Sequence, residues 1–233
     1  MKHQILQSPD FGMLDIVFEQ AGEQIVSEAG AMVGQDSAVQ METNMRGGLG
    51  SALKRKMLGG ESLFQNTFTA SGPGERLQIA PPTEGDIMHV KLDASTGPMM
   101  VQSSGYLAST PGVNLDTKWG GAKGFFSGAG MFLIKAEGQG DLWISSYGAI
   151  HRVDVGYPNT PGANGYTVDT GHILAFSAGV DYTVTKVGGL KSLLASGEGL
   201  VAKFHGQGQV YLMTRNPGAM AAFIFPYRPV QSN

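Results

Sequence analysis

The sequence has no cysteine, which removes disulfides and thiolate metal sites from consideration. Charge is scarce as well. Asp, Glu, Lys and Arg make up 15% of the 233 residues, against about a quarter in an ordinary globular domain. Charge this sparse implies wide surfaces meant to be covered by partner subunits or by another protein, so self-association and an unknown protein partner are expected. The formal balance of −3 counts against a general nucleic-acid binder, which carries a basic excess. No apolar run approaches the roughly 18 residues of a membrane span. The opening MKHQILQSPDFGMLDIVF lacks the unbroken apolar core and small-residue cleavage site of a secretory signal. The expectation is a cytoplasmic protein without a transmembrane segment, its contact with membranes confined to the surface.

Catalytic frames are missing too. The histidines are His3, His89, His151, His172 and His205, and no two stand in the H-x-H or H-E-x-x-H spacing that places metal ligands on one strand or helix face. His89 falls on the polar phase of its strand, whereas His151 shares the phase of Val153 and Val155 and is expected to be partly buried. There is no G-x-S-x-G nucleophile elbow. Asp169 and Thr170, in VDTGH, read as turn formers bonding local backbone. GGLGSALKRK and GGLKSLL start like phosphate loops, but neither matches G-x-x-x-x-G-K-[ST] and no strand–helix alternation follows. No catalytic, cofactor or metal residue is assigned, and the chain reads as non-enzymatic.

What the sequence has in excess is glycine, 35 residues, about twice the usual share. It is ordered glycine. Gly47 to Gly74, Gly120 to Gly140 and Gly188 to Gly208 each run from a Gly-Gly pair through a small break and an apolar stretch to a closing G-x-G. From Gly72 to Gly138 is 66 residues and from Gly138 to Gly206 is 68. Upstream, Gly30, Gly105 and Gly171 each precede an apolar pair, and alternating runs such as Leu14, Ile16, Phe18 and Met88, Val90, Leu92 come before those. Recurrence at this period predicts three internal repeats. Their boundaries are read at 1–85, 86–148 and 149–233, within one integrated domain. Units of this size are marginal alone and need a shared core. Gly72, Gly74, Gly138, Gly140, Gly206 and Gly208 are the structural turn glycines, and Gly138 and Gly206 are expected at positive φ. A tight hairpin is expected at each, because glycine between two β runs is the usual solution for one. LDIVFEQAGEQIVSEAG reads as a hairpin with one dry face, and the apolar tail AAFIFPYRPV as a last strand.

The first repeat departs from the others. Its Gly-Gly and G-x-G are 25 residues apart, against 18 in the other two, and the extra residues fall around SALKRKMLGG. Leu49, Leu53 and Met57 recur at helical spacing, predicting a short amphipathic helix. Lys54, Arg55 and Lys56, with Arg46 nearby, form the one dense basic cluster and the candidate interaction patch, suited to an anionic surface or acidic partner.

The triplicated GG…SGxGL…GxG pattern, with VDTGHILAF and SSYGAIHRV, resembles the altered-inheritance-of-mitochondria family over nearly the whole chain. The resemblance implies an all-β molecule of three units. Each is a short double-stranded β-helix or sandwich similar to the trp RNA-binding attenuation protein, set around a pseudo-threefold axis. For eukaryotic members it implies a mitochondrial role in assembling or maintaining inner-membrane complexes. It carries no catalytic residue over. The expected function is a non-enzymatic scaffold or interaction protein. The alternatives are a small-ligand or RNA-binding module on an attenuation-protein-like fold, and an unrecognised hydrolase or metalloenzyme.

Overall fold

The computed structural model describes residues 1–45, 64–116, 125–126, 131–186 and 200–228. The chain is predominantly β, in several antiparallel sheets. In chain order the strands are β1 (Lys2–Leu6), β2 (Met13–Val17), β3 (Gln24–Glu28), β4 (Met32–Gln35), β5 (Gln40–Met45), β6 (Phe64–Thr69) and β7 (Arg76–Ile79). Then come β8 (Ile87–Leu92), β9 (Met99–Gln102), β10 (Tyr106–Ser109), β11 (Val113–Asp116), β12 (Phe125–Phe126), β13 (Met131–Gly138) and β14 (Gly140–Ser145). The last are β15 (Ile150–Val155), β16 (Tyr166–Asp169), β17 (Ile173–Ser177), β18 (Val180–Lys186), β19 (Leu200–Gly206) and β20 (Gly208–Met213).

One sheet runs β1-β2-β7-β4 and another β5-β6-β3-β10-β14-β8. A third runs β11-β13-β9-β17-β20-β15 with β12 on β13, and a fourth β16-β19-β18. The alternation read from the sequence buries β2 and β3 on one face, whereas β9 and β10 are buried on both. Leu14 and Ile16 of β2, and Ile25 and Ser27 of β3, are fully buried while their neighbours are not. Among the described residues the buried side chains gather in three apolar clusters. One joins Leu14, Ile16, Ile25, Phe68 and Leu77 to Leu107 and Trp143 from further along the chain. The second is centred on Phe176 and Phe204, and the third on Leu92, Ile134, Leu142 and Leu174.

Several local expectations are corrected. β2 and β3 lie in different sheets, so LDIVFEQAGEQIVSEAG is not a hairpin. The expected hairpins at the closing G-x-G are absent too. β13 and β14, and likewise β19 and β20, belong to separate sheets, as do β6 and β7. The physical reason is that both edges of these strands are occupied. β13 lies between β11 and β9, and β14 between β10 and β8, so neither has a free edge to offer the other. The G-x-G is a corner at which the chain leaves one sheet for another. Among the described residues, strands consecutive in the chain pair antiparallel at β1 and β2, β5 and β6, β12 and β13, and β18 and β19.

The corner explains its glycines. Gly138 has φ +115° and Gly206 φ +91°. The amide of Gln139 donates to the carbonyl of Gly112 at 3.1 Å, and that of Gln207 to Gly179 at 2.9 Å. A Cβ on Gly138 would stand 2.3 Å from the Gly112 oxygen, and one on Gly206 would stand 2.5 Å from the Gly179 oxygen. Gly140 and Gly208 open the next strands, where side chains anchor the turn: Thr110 Oγ1 accepts from Asp141 N, and Ser177 Oγ from Gln209 N, both at 2.9 Å. At the first G-x-G, Gly74 has φ +87° and donates to the Phe18 carbonyl at 2.7 Å, and Gly72 lies in the same turn.

The tail is not a strand. Pro217–Ile224 is a helix, α1, followed by a 3-10 turn over Phe225–Tyr227. Asn216 is its N-cap, its side chain accepting from Gly218 N at 2.8 Å and Ala219 N at 3.3 Å. Pro217 follows with its φ pre-set for a first turn. That capping signal outweighs the apolar run read as a strand.

Candidate functional site

The candidate interaction patch, Arg46, Lys54, Arg55 and Lys56, and the helix expected around it lie outside the described residues, between β5 and β6. The histidines are placed apart for the most part. His151 is exposed, which corrects the expectation of burial: its strand β15 is an edge whose inward face begins at Val153. His172 Nδ1 is 2.8 Å from the Met213 carbonyl, fastening its 3-10 turn to the end of β20. His205 faces Asp181 at 3.7 Å on the surface. Asp169 caps its own turn, accepting from Gly171 N at 2.7 Å.

The exception is a cluster that the sequence reading missed. β8 and β14 are antiparallel neighbours with His89 opposite Trp143 and Lys91 opposite Asp141. On such a pair, same-face residues two apart on one strand reach diagonally to the other. Asp141 therefore takes both His89, 2.8 Å from Oδ1, and Lys91, 3.0 Å from Oδ2. Above them His3, on β1, sets its ring centroid 4.4 Å from His89 and 5.1 Å from Trp143, edge-on to the indole. The alternation of His89 with Lys91, and of Asp141 with Trp143, is legible in the sequence. The arrival of His3 from 86 residues away is not.

Burial lowers the pKa of His3, and His89 beside it lowers it further, against the opposing pull of Asp141. Burial pushes Asp141 upward, but its hydrogen bonds from His89 and Lys91 outweigh that and leave it below the usual carboxylate range. Chemically this is a clamp. One carboxylate is shared by two cations or donors, and an imidazole is pressed onto an indole, so that β1 is fastened across the β8–β14 pair. The N-terminus adds a second fastening, with Met1 N at 2.6 Å from Glu19 and 2.8 Å from Glu23. Among the described residues no group of three or more His, Asp or Glu is disposed to hold a metal ion.

The clamp carries a pH dependence of defined sign. A histidine whose folded pKa is lowered favours the neutral fold. Its contribution is complete above the unfolded value, about 6.5, and declines as pH falls through that value toward the folded one. The melting temperature should therefore drop between about pH 7.5 and pH 5.5, and His3→Gln should drop less over the same range. Parallel curves for the two proteins would show that His3 is not the group responsible. Asp141 acts lower. Its contribution is present above the unfolded carboxylate value, about 3.9, and is lost as pH falls through its folded pKa.

Comparison with known proteins agrees with the fold. A Streptococcus pyogenes serotype M6 protein described as uncharacterised is 29% identical over 241 residues, covering 100% of this chain and 93% of that protein. An X-ray crystal structure of a Streptococcus pyogenes protein superposes with a TM-score of 0.75 at 26% identity, covering 97% of this chain and 99% of that one. The family model described as Mitochondrial biogenesis AIM24 matches residues 3–215. With that match spanning the β framework from its first strand to the residue before the Asn216 cap, the chain belongs to the AIM24 family.

Proposed function

We propose that this protein is a non-enzymatic, self-associating scaffold built from three similar units around a pseudo-threefold axis. Strand order supports the architecture. Taking β2–β7, the six strands β8–β11, β13 and β14, and β15–β20 as three sets of six, the neighbours in each set are first–sixth–third and fourth–fifth–second. The third strand of each set carries a register shift against the sixth, at Met32/Gly34, Tyr106/Ala108 and Ile173/Ala175. The backbone just before each first strand meets the others through parallel bridges, Phe11 with Gly85 and Gly85 with Gly148. A unit similar to the trp RNA-binding attenuation protein fits this arrangement.

One observation carries the interaction reading. Helix α1 and the turn after it expose Met220, Phe223, Ile224, Phe225 and Tyr227, and none of their residues is buried. Contiguous apolar surface of this kind marks an interaction site. Light scattering on the full chain should return at least twice the monomer mass, and a monomer at every concentration would remove the self-associating reading. Replacing Lys54, Arg55 and Lys56 with Ser should leave the melting temperature unchanged while weakening salt-sensitive binding to an acidic partner. A large loss of thermal stability would assign those side chains to the fold.

A further inference from the structure

Residues 156–165, GYPNTPGANG, carry the chain from β15 to β16. The loop is tied to itself by short-range bonds. Thr160 Oγ1 donates to the Tyr157 carbonyl at 2.8 Å. Ala163 N donates to the Thr160 carbonyl at 3.1 Å. The Gly162 carbonyl accepts twice, from Gly156 N at 2.9 Å and from Gly165 N at 3.0 Å.

The end of the loop requires glycine. Gly165 has φ +95°, and a Cβ on it would stand 2.8 Å from the Phe204 oxygen. Phe204 is itself held opposite Tyr166, the first residue of β16. The fold therefore sets, directly after Asn164, the one residue whose backbone nitrogen has no side chain beside it. Asn164 is exposed, and no hydrogen bond to a described residue holds its side chain. It is the only asparagine of the sequence that precedes a glycine. Asn159 is exposed in the same loop, but Thr160 follows it, and a β-branched side chain crowds the backbone nitrogen.

We propose that Asn164 is a site of spontaneous modification, converting to aspartate and isoaspartate through attack by the Gly165 backbone nitrogen. The nitrogen loses its proton to solvent base and bonds to Asn164 Cγ. The bond from Cγ to Nδ2 breaks, and the amide leaves as ammonia. Water then opens the cyclic imide. Breaking the bond from the nitrogen to Cγ gives aspartate, and breaking the bond to the Asn164 main-chain carbonyl carbon gives isoaspartate. Water is the only co-reactant, and nothing is oxidised or reduced. Attack requires the Gly165 amide to leave the Gly162 carbonyl. That breaks one hydrogen bond and leaves no orphan acceptor, because Gly156 N still donates to the same oxygen. An exposed turn opens in this way far more readily than a core strand. Either product adds a negative charge at the entrance to β16. Isoaspartate also inserts a methylene into the main chain just before Gly165, where the Phe204 carbonyl crowds the turn.

To test this, the full chain is held at mildly alkaline pH in water enriched in heavy oxygen. Its peptides are mapped at intervals by mass spectrometry, with fragmentation that separates isoaspartate from aspartate. The expected result is progressive loss of the Asn164 amide, heavy oxygen in the product, isoaspartate among the products, and an intact Asn159. Equal loss at Asn159 would show that the glycine does not direct the reaction, and overturns the proposal. Aspartate without isoaspartate means direct hydrolysis of the side chain, and overturns it as well. The same incubation in guanidinium isolates the effect of the fold. Conversion at Asn164 in the unfolded chain alone would mean that the loop protects the site, which also overturns the proposal. Asn164→Gln lengthens the side chain by a methylene and keeps Gly165 in place. It should suppress conversion at this position with the melting temperature unchanged, and conversion at the original rate would count against ring closure.

Discussion

Gly206→Ala is expected to destabilise the protein by about 3 kcal/mol, and Gly74→Ala by only about 1 kcal/mol. The two glycines have nearly the same backbone, φ +91° and +87°. Each would pay the left-handed penalty of an L residue, on the order of 1–2 kcal/mol. Their surroundings differ. A Cβ at Gly74 would meet nothing within 4 Å, whereas one at Gly206 would meet the Gly179 carbonyl oxygen at 2.5 Å. That oxygen is held in place, because it accepts from Gln207 N. Relieving the overlap means opening the corner between β19 and β20, and overpacking of this kind costs about 1–3 kcal/mol more. In thermal unfolding the gap between the variants should be several degrees, at roughly 2–4 °C per kcal/mol for a chain of this size. Equal losses would show that crowding at the corner is not what requires glycine there.

Trp143→Ala should be the most damaging single truncation in the core, at about 3–5 kcal/mol. Trp143 is 0% exposed and belongs by sequence to the second set of strands, yet it packs in the cluster with Leu14, Ile16 and Ile25 from the first. Removing it opens a cavity at the boundary between two sets and takes away the surface on which His3 and His89 rest, at 5.1 and 5.5 Å between ring centroids. Its indole Nε1 has no hydrogen-bond partner among the described residues, so Trp143→Phe gives up volume but no polar contact and should cost about 2 kcal/mol. Urea unfolding of both variants measures this. If Phe were as costly as Ala, the cause would lie elsewhere than in the filled volume. The Ala variant should also flatten the pH dependence assigned to His3, since the ring loses its packing surface.

Local physics was legible in the chain. Alternation along Leu14, Ile16 and Phe18 marked a face that is fully buried in the fold, because successive side chains of a strand point to opposite sides whatever that strand pairs with. Glycine landmarks at near-constant spacing marked backbone that a Cβ would obstruct, at Gly138 and Gly206. The Asn216-Pro217 cap was also written in the sequence, though the apolar run after it was read as a strand. Which strands are neighbours is another kind of information. The G-x-G segments look like hairpins because two β runs flank them. They are corners because β9, β11, β8 and β10 already hold the edges of β13 and β14, and edge occupancy depends on pairings tens of residues away. The same holds for the clamp. His89 and Asp141 come together through a strand register, and His3 reaches them from the N-terminal strand because β1 pairs with β2. Periodicity and backbone sterics are properties of neighbouring residues, so the sequence alone determined the β character, the buried faces and the glycine positions. Sheet order, the corners and the clamp depend on contacts distant in sequence, and only the tertiary structure decided them.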